Sequence, residues 1–465
     1  PFDLDDILLP LSSQDFWTIR NACEGVQAFG GTGGGKTSGS GATIAKSYLR
    51  AGFGGVVFCA KPEERELWER YAKETGRSEH LIVVSPKQRW RFNFLDYELR
   101  RSGEGGGQTE NLVNLFTTVT EIVEGKQGQH NGDRFWERAM KELLRNAIDL
   151  LALAQGAITL EDIVELIADA PQSHEQANDK NWANNSFCLN CIHAAGEKKK
   201  TPAQAHDFQV LLRYWLKSYP ALNDRTRTSI TATFTSVADI LSHGIAWELL
   251  ATETNLVPEV TYKDGAIIIL DLPIQEYRET GRIVQGIFKY IFQQAILRRD
   301  TKQYPRPVFL WADEAQNFIS SFDYHFQSTA RSARACTVYM TQNISNYYSV
   351  LGAQGRDEAN ALLGNLLTHI FHANADVPTN QYAADMIGKR WMEKHSYNTS
   401  TTDAGGSRGI GVGEEVHYKV MPAAFTTLRK GGPQNDYQVD AVIFQGGRTW
   451  KATGDTYLPV VFVQS

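Results

Sequence analysis

The chain has 465 residues, of which 42% are hydrophobic and 22% charged, and a formal net charge of −6 at pH 7. This composition is typical of a soluble globular protein of about two or three domains, and it excludes a protein that coats nucleic acid through bulk positive charge. Any contact with nucleic acid must be local, for example in a channel. No apolar run approaches the roughly 20 residues that span a bilayer, and the acidic start is unlike a secretory signal peptide.

The first hundred residues predict strands that alternate with helices. Apolar runs at 25–29, 55–60 and 81–84 predict strands, and the segments at 42–49 and 63–75 have the composition and spacing of helices. Continuous apolar strands separated by helices are typical of a parallel sheet that is covered on both faces.

A glycine-rich loop between the first of these strands and the first helix fits the pattern G-x-x-x-x-G-K-[ST]. Its glycines let backbone N–H groups crowd around a phosphate, Lys36 can reach the β- and γ-phosphates, and the Thr37 hydroxyl can hold Mg²⁺. A flexible linker with a chance lysine is the alternative, but the flanking strand and helix favour a nucleotide site. The predicted nucleotide-binding residues are Gly30, Gly31, Thr32, Gly33, Gly34, Gly35, Lys36, Thr37 and Ser38.

The middle of the chain has a different composition. A glycine-rich stretch at 103–107 is typical of a linker, and from 111 to about 250 the apolar spacing is mostly helical. Thr159 and Asp162 have the N-cap and first-turn positions of one such helix. We expect a first segment of a nucleotide-binding domain at 1–104, an all-helical insertion at 105–250 and the second segment of the nucleotide-binding domain at 251–465.

Five cysteines favour a reducing compartment. Cys188 and Cys191 form a C-x-x-C pattern with His193 close by, which is compatible with a metal site. No second cysteine pair lies at zinc-site spacing, so we favour two partly buried thiols on a helix or turn.

Strands and helices alternate again in the last two hundred residues. A long helix is expected at 281–299, and the stretch at 397–413, rich in serine, threonine and glycine, is expected to be a mobile loop. The remaining apolar runs predict strands at 265–272, 307–312, 337–341, 369–372, 439–444 and 460–463.

The strand predicted at 307–312 is followed directly by two carboxylates, Asp313 and Glu314. A phosphate loop needs such partners: Asp313 would hold the Mg²⁺ shell, usually through water, and Glu314 would orient or deprotonate the attacking water. Two solvated acids at a strand end are the alternative. The presence of Lys36 and Thr37 upstream favours the catalytic interpretation.

Gln342 follows the next predicted strand, where its amide could contact the γ-phosphate or the attacking water. A strand-terminating turn is equally compatible with the sequence. Arg331 and Arg334 lie on a polar helix between the two strands, and an arginine given to a neighbouring subunit's γ-phosphate accelerates hydrolysis. Two solvated arginines are the simpler interpretation, which we retain for Arg334.

Together, the phosphate loop and the segments 313–318 and 341–343 resemble the HerA/FtsK superfamily of ring-forming translocases. Within it the chain is similar to the TraG/TraD-type coupling proteins of conjugative type IV secretion, with further matching residues at 92–96 and 269–273 and a similar helical insertion. The resemblance runs over 23–457. It implies an α/β, RecA-like P-loop NTPase with a mostly parallel central sheet, plus an inserted all-helical domain.

The resemblance also implies an ATP-hydrolysing homohexamer, with ATP and Mg²⁺ at subunit interfaces and DNA in the central channel. The DNA would be single- or double-stranded and held independently of its sequence, and the insertion would lie at one mouth of the ring, near relaxosome or secretion-channel proteins. The family's motif positions fall on Lys36 and Thr37 for nucleotide and Mg²⁺, Asp313 and Glu314 for the acidic pair, Gln342 for the γ-phosphate sensor and Arg331 for the arginine supplied in trans.

Two departures from the family pattern keep other interpretations open. Coupling proteins usually carry an N-terminal membrane-spanning segment, which is not visible here, and many have a proline after the acidic pair, where this chain has Ala-Gln-Asn-Phe at 315–318. The leading hypothesis is a conjugative DNA translocase in the cytoplasm, at the cytoplasmic face of the inner membrane if a segment absent from this chain anchors it. The alternatives are a soluble HerA-like DNA-processing translocase, an ATPase receptor or motor for a secreted protein, and a nucleotide-gated scaffold.

Two basic runs in the predicted insertion, at 198–200 and 225–227, are candidate cargo contacts. Such runs are usually a solvated face. Our hypothesis is that Arg225 or Arg227 contacts the cargo.

Overall fold

The structure is a computed structural model that describes residues 2–103, 106–124, 133–156, 158–351, 355–402 and 405–464. The chain forms two compact units. Unit 1 comprises Pro1–Ile82, Val260–Ile269 and Ile296–Ser465, and unit 2 comprises Val83–Glu259 and Leu270–Ala295. The division into three segments expected from the sequence stays a prediction, and its boundary between 104 and 105 lies outside the described residues.

Most of the strands belong to one sheet. They are β1 (Ile7–Pro10), β2 (Phe16–Thr18), β3 (Val26–Phe29), β4 (Gly54–Phe58), β5 (Leu81–Val84), β6 (Ile267–Leu270), β7 (Val308–Ala312), β8 (Ala335–Thr341), β9 (Thr368–Phe371), β10 (Lys389–Thr402), β11 (Gly405–Tyr418), β12 (Gln438–Gln445) and β13 (Tyr457–Val463). In the described part of the chain, nine of them form a sheet in the order β13-β12-β9-β3-β8-β7-β4-β6-β5, while β1 pairs with β2 and β10 with β11.

The helices follow one another through both units. They are α1 (Ile19–Cys23), α2 (Ala42–Arg50), α3 (Glu63–Glu74), α4 (Phe94–Arg100), α5 (Thr109–Glu124), α6 (Asp133–Ala154), α7 (Leu160–Asp169), α8 (His174–Ala177), α9 (Lys180–Asn185), α10 (Phe187–Glu197), α11 (Pro202–Arg213), α12 (Asp224–Leu241), α13 (Gly244–Leu250), α14 (Val260–Lys263), α15 (Ile274–Arg298), α16 (Phe322–Ala330), α17 (Ile344–Val350), α18 (Gly355–Gly364) and α19 (Val377–Ile387).

Parallel pairing brings the carboxyl ends of the central strands to the same edge of the sheet. β3 pairs with β8 so that Phe29 lies opposite Thr341, and β4 pairs with β7 so that Phe58 lies opposite Ala312. Every residue of these four strands is buried, which is why the strands are mostly apolar along their whole length and do not alternate between polar and apolar residues. The segments that leave the four strands therefore begin close together.

The expected α/β fold is confirmed, and the predicted strands are present with ends that differ by a few residues. β12 and β13 pair antiparallel at one edge of the otherwise parallel order β9-β3-β8-β7-β4. The helix expected at 281–299 begins earlier, at Ile274, and contains one non-helical residue, Arg278, with φ 48°. In unit 2, Thr159 is the N-cap of α7 as predicted, and Asp162 in the first turn completes a capping box with it.

The prediction of a mobile loop at 397–413 is wrong. β10 and β11 pair along their whole length, from Lys389 opposite Tyr418 to Thr402 opposite Gly405. The prediction counted serine, threonine and glycine as loop formers, although threonine is β-branched and suits a strand. One face of the ribbon carries the exposed side chains of Trp391, Tyr397, Ile410, Val412 and Val416.

No helix among the described residues combines the length and the apolar character needed to cross a membrane.

Candidate active site

The segment after β3 folds into a tight loop before α2. Gly33 and Gly35 have φ angles of 69° and 83°, in the left-handed region that favours glycine. A Cβ atom on Gly34 would lie 2.8 Å from the carbonyl oxygen of Gly31. A single π-helical turn at Thr37–Gly41 then leads into α2. The glycines are thus required by the shape of the loop itself.

Both ends of this loop are fixed by hydrogen bonds. The N–H of Gly30 donates to the carbonyl of Thr341 at 3.3 Å, and the N–H of Gly31 donates to the carbonyl of Ala373 at 2.9 Å. At the other end, the Gln464 amide donates to the Ser38 hydroxyl at 2.7 Å. The predicted nucleotide-binding residues therefore form one anchored turn at the carboxyl edge of the sheet.

Thr37 and Asp313 lie in direct contact. The Thr37 hydroxyl donates to Asp313 Oδ2 at 2.6 Å, and Lys36 Nζ lies 3.7 Å from Asp313 Oδ1. Hydroxyl and carboxylate oxygens are ligands that suit Mg²⁺, so this pair fits the ion that a phosphate loop uses. The described residues contain no cluster of three or more His, Cys, Asp or Glu arranged for a metal. Mg²⁺ at a phosphate loop takes its other ligands from phosphates and water, so no such cluster is needed.

Glu314 is surrounded by hydrogen-bond donors. Its Oε1 lies 3.1 Å from Lys61 Nζ and 3.5 Å from Lys36 Nζ, and it accepts from the Gln342 amide at 3.3 Å. Its Oε2 accepts from the Gln316 amide at 3.0 Å. Burial raises the pKa of Glu314, but the two lysines and the Gln316 amide outweigh it and hold the pKa at about 2. The carboxylate is therefore ionised at neutral pH.

The backbone at Glu314 is left-handed, with φ 53°. Non-glycine residues rarely adopt this conformation, and it is often found at functional sites. The preceding carboxylate supports the turn, because Asp313 Oδ1 accepts the N–H of Glu314 at 2.9 Å. The chain thus bends at the end of β7, so that the two acidic side chains have different partners.

Gln342 lies between the phosphate loop and the acidic pair. Its Nε2 donates to Glu314, and its Oε1 accepts from the Thr32 hydroxyl at 3.3 Å. The Asn374 amide donates to the backbone carbonyl of Gln342 at 2.8 Å and so fixes the turn after β8. An amide in this position can detect a γ-phosphate between the loop and the carboxylate.

Arg331 does not join these residues within the chain. It directly follows α16, before β8 begins, and its side chain is 58% exposed and lies 3.4 Å from Glu24, which precedes β3. Both residues therefore lie at the sheet edge opposite the phosphate loop. Arg334 is not simply solvated, because its guanidinium donates to the carbonyls of Phe2 and Pro305 at 2.9 Å each.

The sequence interpretation missed two residues that follow β4. Because β4 lies beside β7, this segment reaches the acidic pair. Lys61 contacts Glu314, and Glu64 Oε2 accepts the N–H groups of Ala60 and Lys61 at 2.6 and 3.2 Å. Burial, with a smaller contribution from Asp313, raises the pKa of Glu64 to about 8. A lysine and a glutamate directly after a strand were visible signals, but strand order was needed to interpret them.

The two cysteines of the C-x-x-C motif lie on a helix, one of the two positions that we favoured. Cys188 and Cys191 lie on α10 and are buried, and burial raises the pKa of both thiols, that of Cys191 to about 11. In the same unit, Arg227 is 7% exposed and donates to Asp224 and to the carbonyl of Leu222. Arg225 is exposed. Of the two arginines proposed to contact cargo, only Arg225 presents its side chain to solvent.

Comparison with known proteins finds one matching family model and several similar solved structures. The family described as the TraM recognition site of TraD and TraG matches residues 307–424, which include Asp313, Glu314, Arg331 and Gln342. A search of curated proteins finds no match.

Solved structures of a conjugative coupling protein have a similar fold. The bacterial conjugative coupling protein TrwBΔN70 is similar with a TM-score of 0.58 and 15% identity, over 97% of this chain and 89% of that one. Plasmid coupling protein TrwB with ADP and Mg²⁺ is similar with a TM-score of 0.59 and 14% identity, over 96% and 86% of the two chains. The same protein with an ATP analogue gives a TM-score of 0.56 at 14% identity, over 96% and 87%. A segment of the chain thus matches the family model of TraD and TraG, and the fold is similar to that of solved structures of a conjugative coupling protein.

Proposed function

We propose that this chain is an ATP-driven DNA translocase of the conjugative coupling type. The observation that carries the proposal is the convergence of five side chains from three separate parts of the sequence: Lys36, Thr37, Asp313, Glu314 and Gln342. A degenerate, scaffold-type ATPase would be expected to lack at least one of them.

The site residues have separate roles in hydrolysis. The loop and Lys36 bind the phosphates, while Thr37 and Asp313 would hold Mg²⁺, which neutralises phosphate charge when bound. Glu314, being ionised, orients the attacking water and accepts its proton. Lys36 and Gln342 both contact Glu314 Oε1, and both are expected to turn to the γ-phosphate when ATP binds.

Assembly into a homohexameric ring is part of the proposal. Arg331 is exposed and lies at the sheet edge opposite the phosphate loop of its own chain. An arginine so placed is available to a neighbouring subunit's γ-phosphate, where such a residue raises turnover by roughly 10³–10⁵-fold. Nucleotide would then lie between subunits, and each hydrolysis step would be coupled to movement of the next subunit.

The family match supports the choice of partners. A region described as a TraM recognition site in TraD and TraG suggests a relaxosome protein as the partner that recruits this chain to DNA. The proposed location is the cytoplasm, next to the secretion channel at the inner membrane. An ATPase that moves a secreted protein is the second candidate. With a net charge of −6, the chain as a whole does not attract DNA, so any affinity for DNA must come from a local surface.

The test is ATP turnover by the purified chain without polymer, with single-stranded DNA and with duplex DNA. We expect DNA to stimulate turnover and Glu314→Gln to abolish it while nucleotide binding is retained. Turnover that ignores both forms of DNA would favour the protein cargo. The absence of turnover in the presence of bound ATP would contradict the enzymatic proposal and favour the scaffold hypothesis instead.

A further inference from the structure

Lys61 is a second lysine at the site, and the motifs give it no role. It lies in the turn between β4 and α3, and its Nζ is 3.1 Å from Glu314 Oε1. The phosphate-loop lysine, Lys36, has its Nζ 3.5 Å from the same oxygen. Two ammonium groups therefore converge on one carboxylate oxygen, where the attacking water would have to bind.

The backbone of Lys61 is fixed, whereas its side chain is accessible. Glu64, which is 6% exposed, accepts the N–H of Lys61 and that of the preceding residue. Among the described residues, the other Glu64 oxygen has no hydrogen-bond partner, so this carboxyl group serves the turn and not the lysine head group. The Lys61 side chain is 31% exposed, so its ammonium group can change partner without any change in the backbone.

Two positive and two negative side chains face one another at the site. Lys36 and Lys61 lie next to two carboxylates, those of Asp313 and Glu314. These carboxylates outweigh the effect of burial and hold the pKa of Lys61 above its ordinary value, so Lys61 is charged. ATP remains negatively charged even with Mg²⁺ bound, and its γ-phosphate would lie next to Lys36. A triphosphate thus competes with Glu314 for both lysines.

We propose that Lys61 exchanges partners during the ATPase cycle: it leaves Glu314 Oε1 for the γ-phosphate when ATP binds. The inference rests on the proposed function and deepens it, because it assigns recognition of the third phosphate to a residue outside the phosphate loop, the acidic pair and the segment at 341–343. Departure of Lys61 frees Glu314 Oε1 for the attacking water. Recognition of the triphosphate and activation of the carboxylate then become one event, and ADP does not trigger it.

The test compares affinities for a non-hydrolysable ATP analogue and for ADP, each with Mg²⁺, by calorimetry on the full chain. Lys61 would exchange a contact with one carboxylate for a contact with a more highly charged phosphate, so Lys61→Met should bind the analogue about tenfold more weakly, with an ADP affinity that changes by less than about twofold. Lys61→Arg should restore most of the analogue's affinity. Lys61→Gln, which keeps a polar head group, is the second variant should the methionine disturb the fold.

Lys419→Met is the matched control, because Lys419 pairs with Asp455 at 2.7 Å with its side chain 19% exposed, outside the site. It should change neither affinity. Equal losses for the analogue and for ADP in the Lys61 variants would show a structural role and overturn the inference. Unchanged analogue affinity would show that Lys61 stays on Glu314, and it would overturn the inference as well. A wild-type chain that binds neither nucleotide would contradict the proposed function itself, which separates the two failures.

Discussion

Unit 1 should lose stability on mild acidification because it buries a neutral histidine. His369 lies in β9, is 2% exposed and has its Nε2 3.2 Å from the carbonyl oxygen of Leu363. Its ring lies nearly parallel to that of Phe371, at a centroid distance of 6.0 Å. Burial lowers the pKa of His369 to about 4 from the ordinary 6.5, although its backbone contacts oppose the shift.

The sign of the effect follows from which state binds the proton. As the pH falls below 6.5, the unfolded chain protonates this histidine while the folded chain does not. The contribution of the neutral histidine to stability is therefore fully present above pH 6.5 and is lost as the pH falls toward 4. Between about pH 7 and about pH 5, a shift of this size removes about 2 kcal/mol from the free energy of unfolding.

The assay is urea denaturation followed by tryptophan fluorescence at the two pH values, for the wild type and for His369→Phe. The wild type should lose about 2 kcal/mol more than the variant on acidification. His243→Phe is the control, because the His243 side chain is 73% exposed, and it should lose as much as the wild type. An acid-induced loss in His369→Phe equal to that of the wild type would refute the reasoning.

Three further predictions concern the site and the cargo. Gly35→Ala should weaken ATP binding more than Gly33→Ala does. A Cβ atom at Gly35 would lie 2.6 Å from a valine methyl, whereas no described atom lies within 4 Å of a Cβ atom at Gly33. A larger loss of affinity for Gly33→Ala in calorimetry would contradict this prediction. Arg331→Ala should leave nucleotide affinity unchanged but lower turnover of the assembled ring by at least about 10³-fold, and normal turnover would exclude a trans role. Arg225→Ala should weaken DNA binding in fluorescence anisotropy at unchanged Tm, whereas Arg227→Ala should lower the Tm because this arginine is buried; unchanged DNA affinity in the first variant would remove the cargo hypothesis.

Much of the site could be predicted because its residues follow buried strands. The phosphate loop follows β3, the acidic pair follows β7, and Gln342 follows β8. Each strand is a recognisable apolar run, and parallel pairing places the carboxyl ends together whatever the detailed order of strands. The contact between Thr37 and Asp313, 276 positions apart, is thus implied by local patterns alone.

The remaining features of the site and the fold could not be predicted, because they depend on information that local sequence patterns do not carry. Lys61 belongs to the site only because β4 lies next to β7, and apolar runs do not specify strand order. The β10–β11 ribbon was missed because its cross-strand pairs, such as Tyr397 opposite Ile410, are set by register and not by composition. Glu314 needs a left-handed backbone that no propensity for glutamate would suggest.

The central claim is tested most directly by displacement of a labelled third strand from duplex DNA, with ATP and Mg²⁺. The account predicts displacement that requires ATP, grows with the length of duplex available for loading and is lost in Glu314→Gln, the residue whose carboxylate contacts Lys36, Lys61 and Gln342. Hydrolysis of ATP at full rate without any displacement, on duplex or on single-stranded loading tails, would contradict DNA translocation.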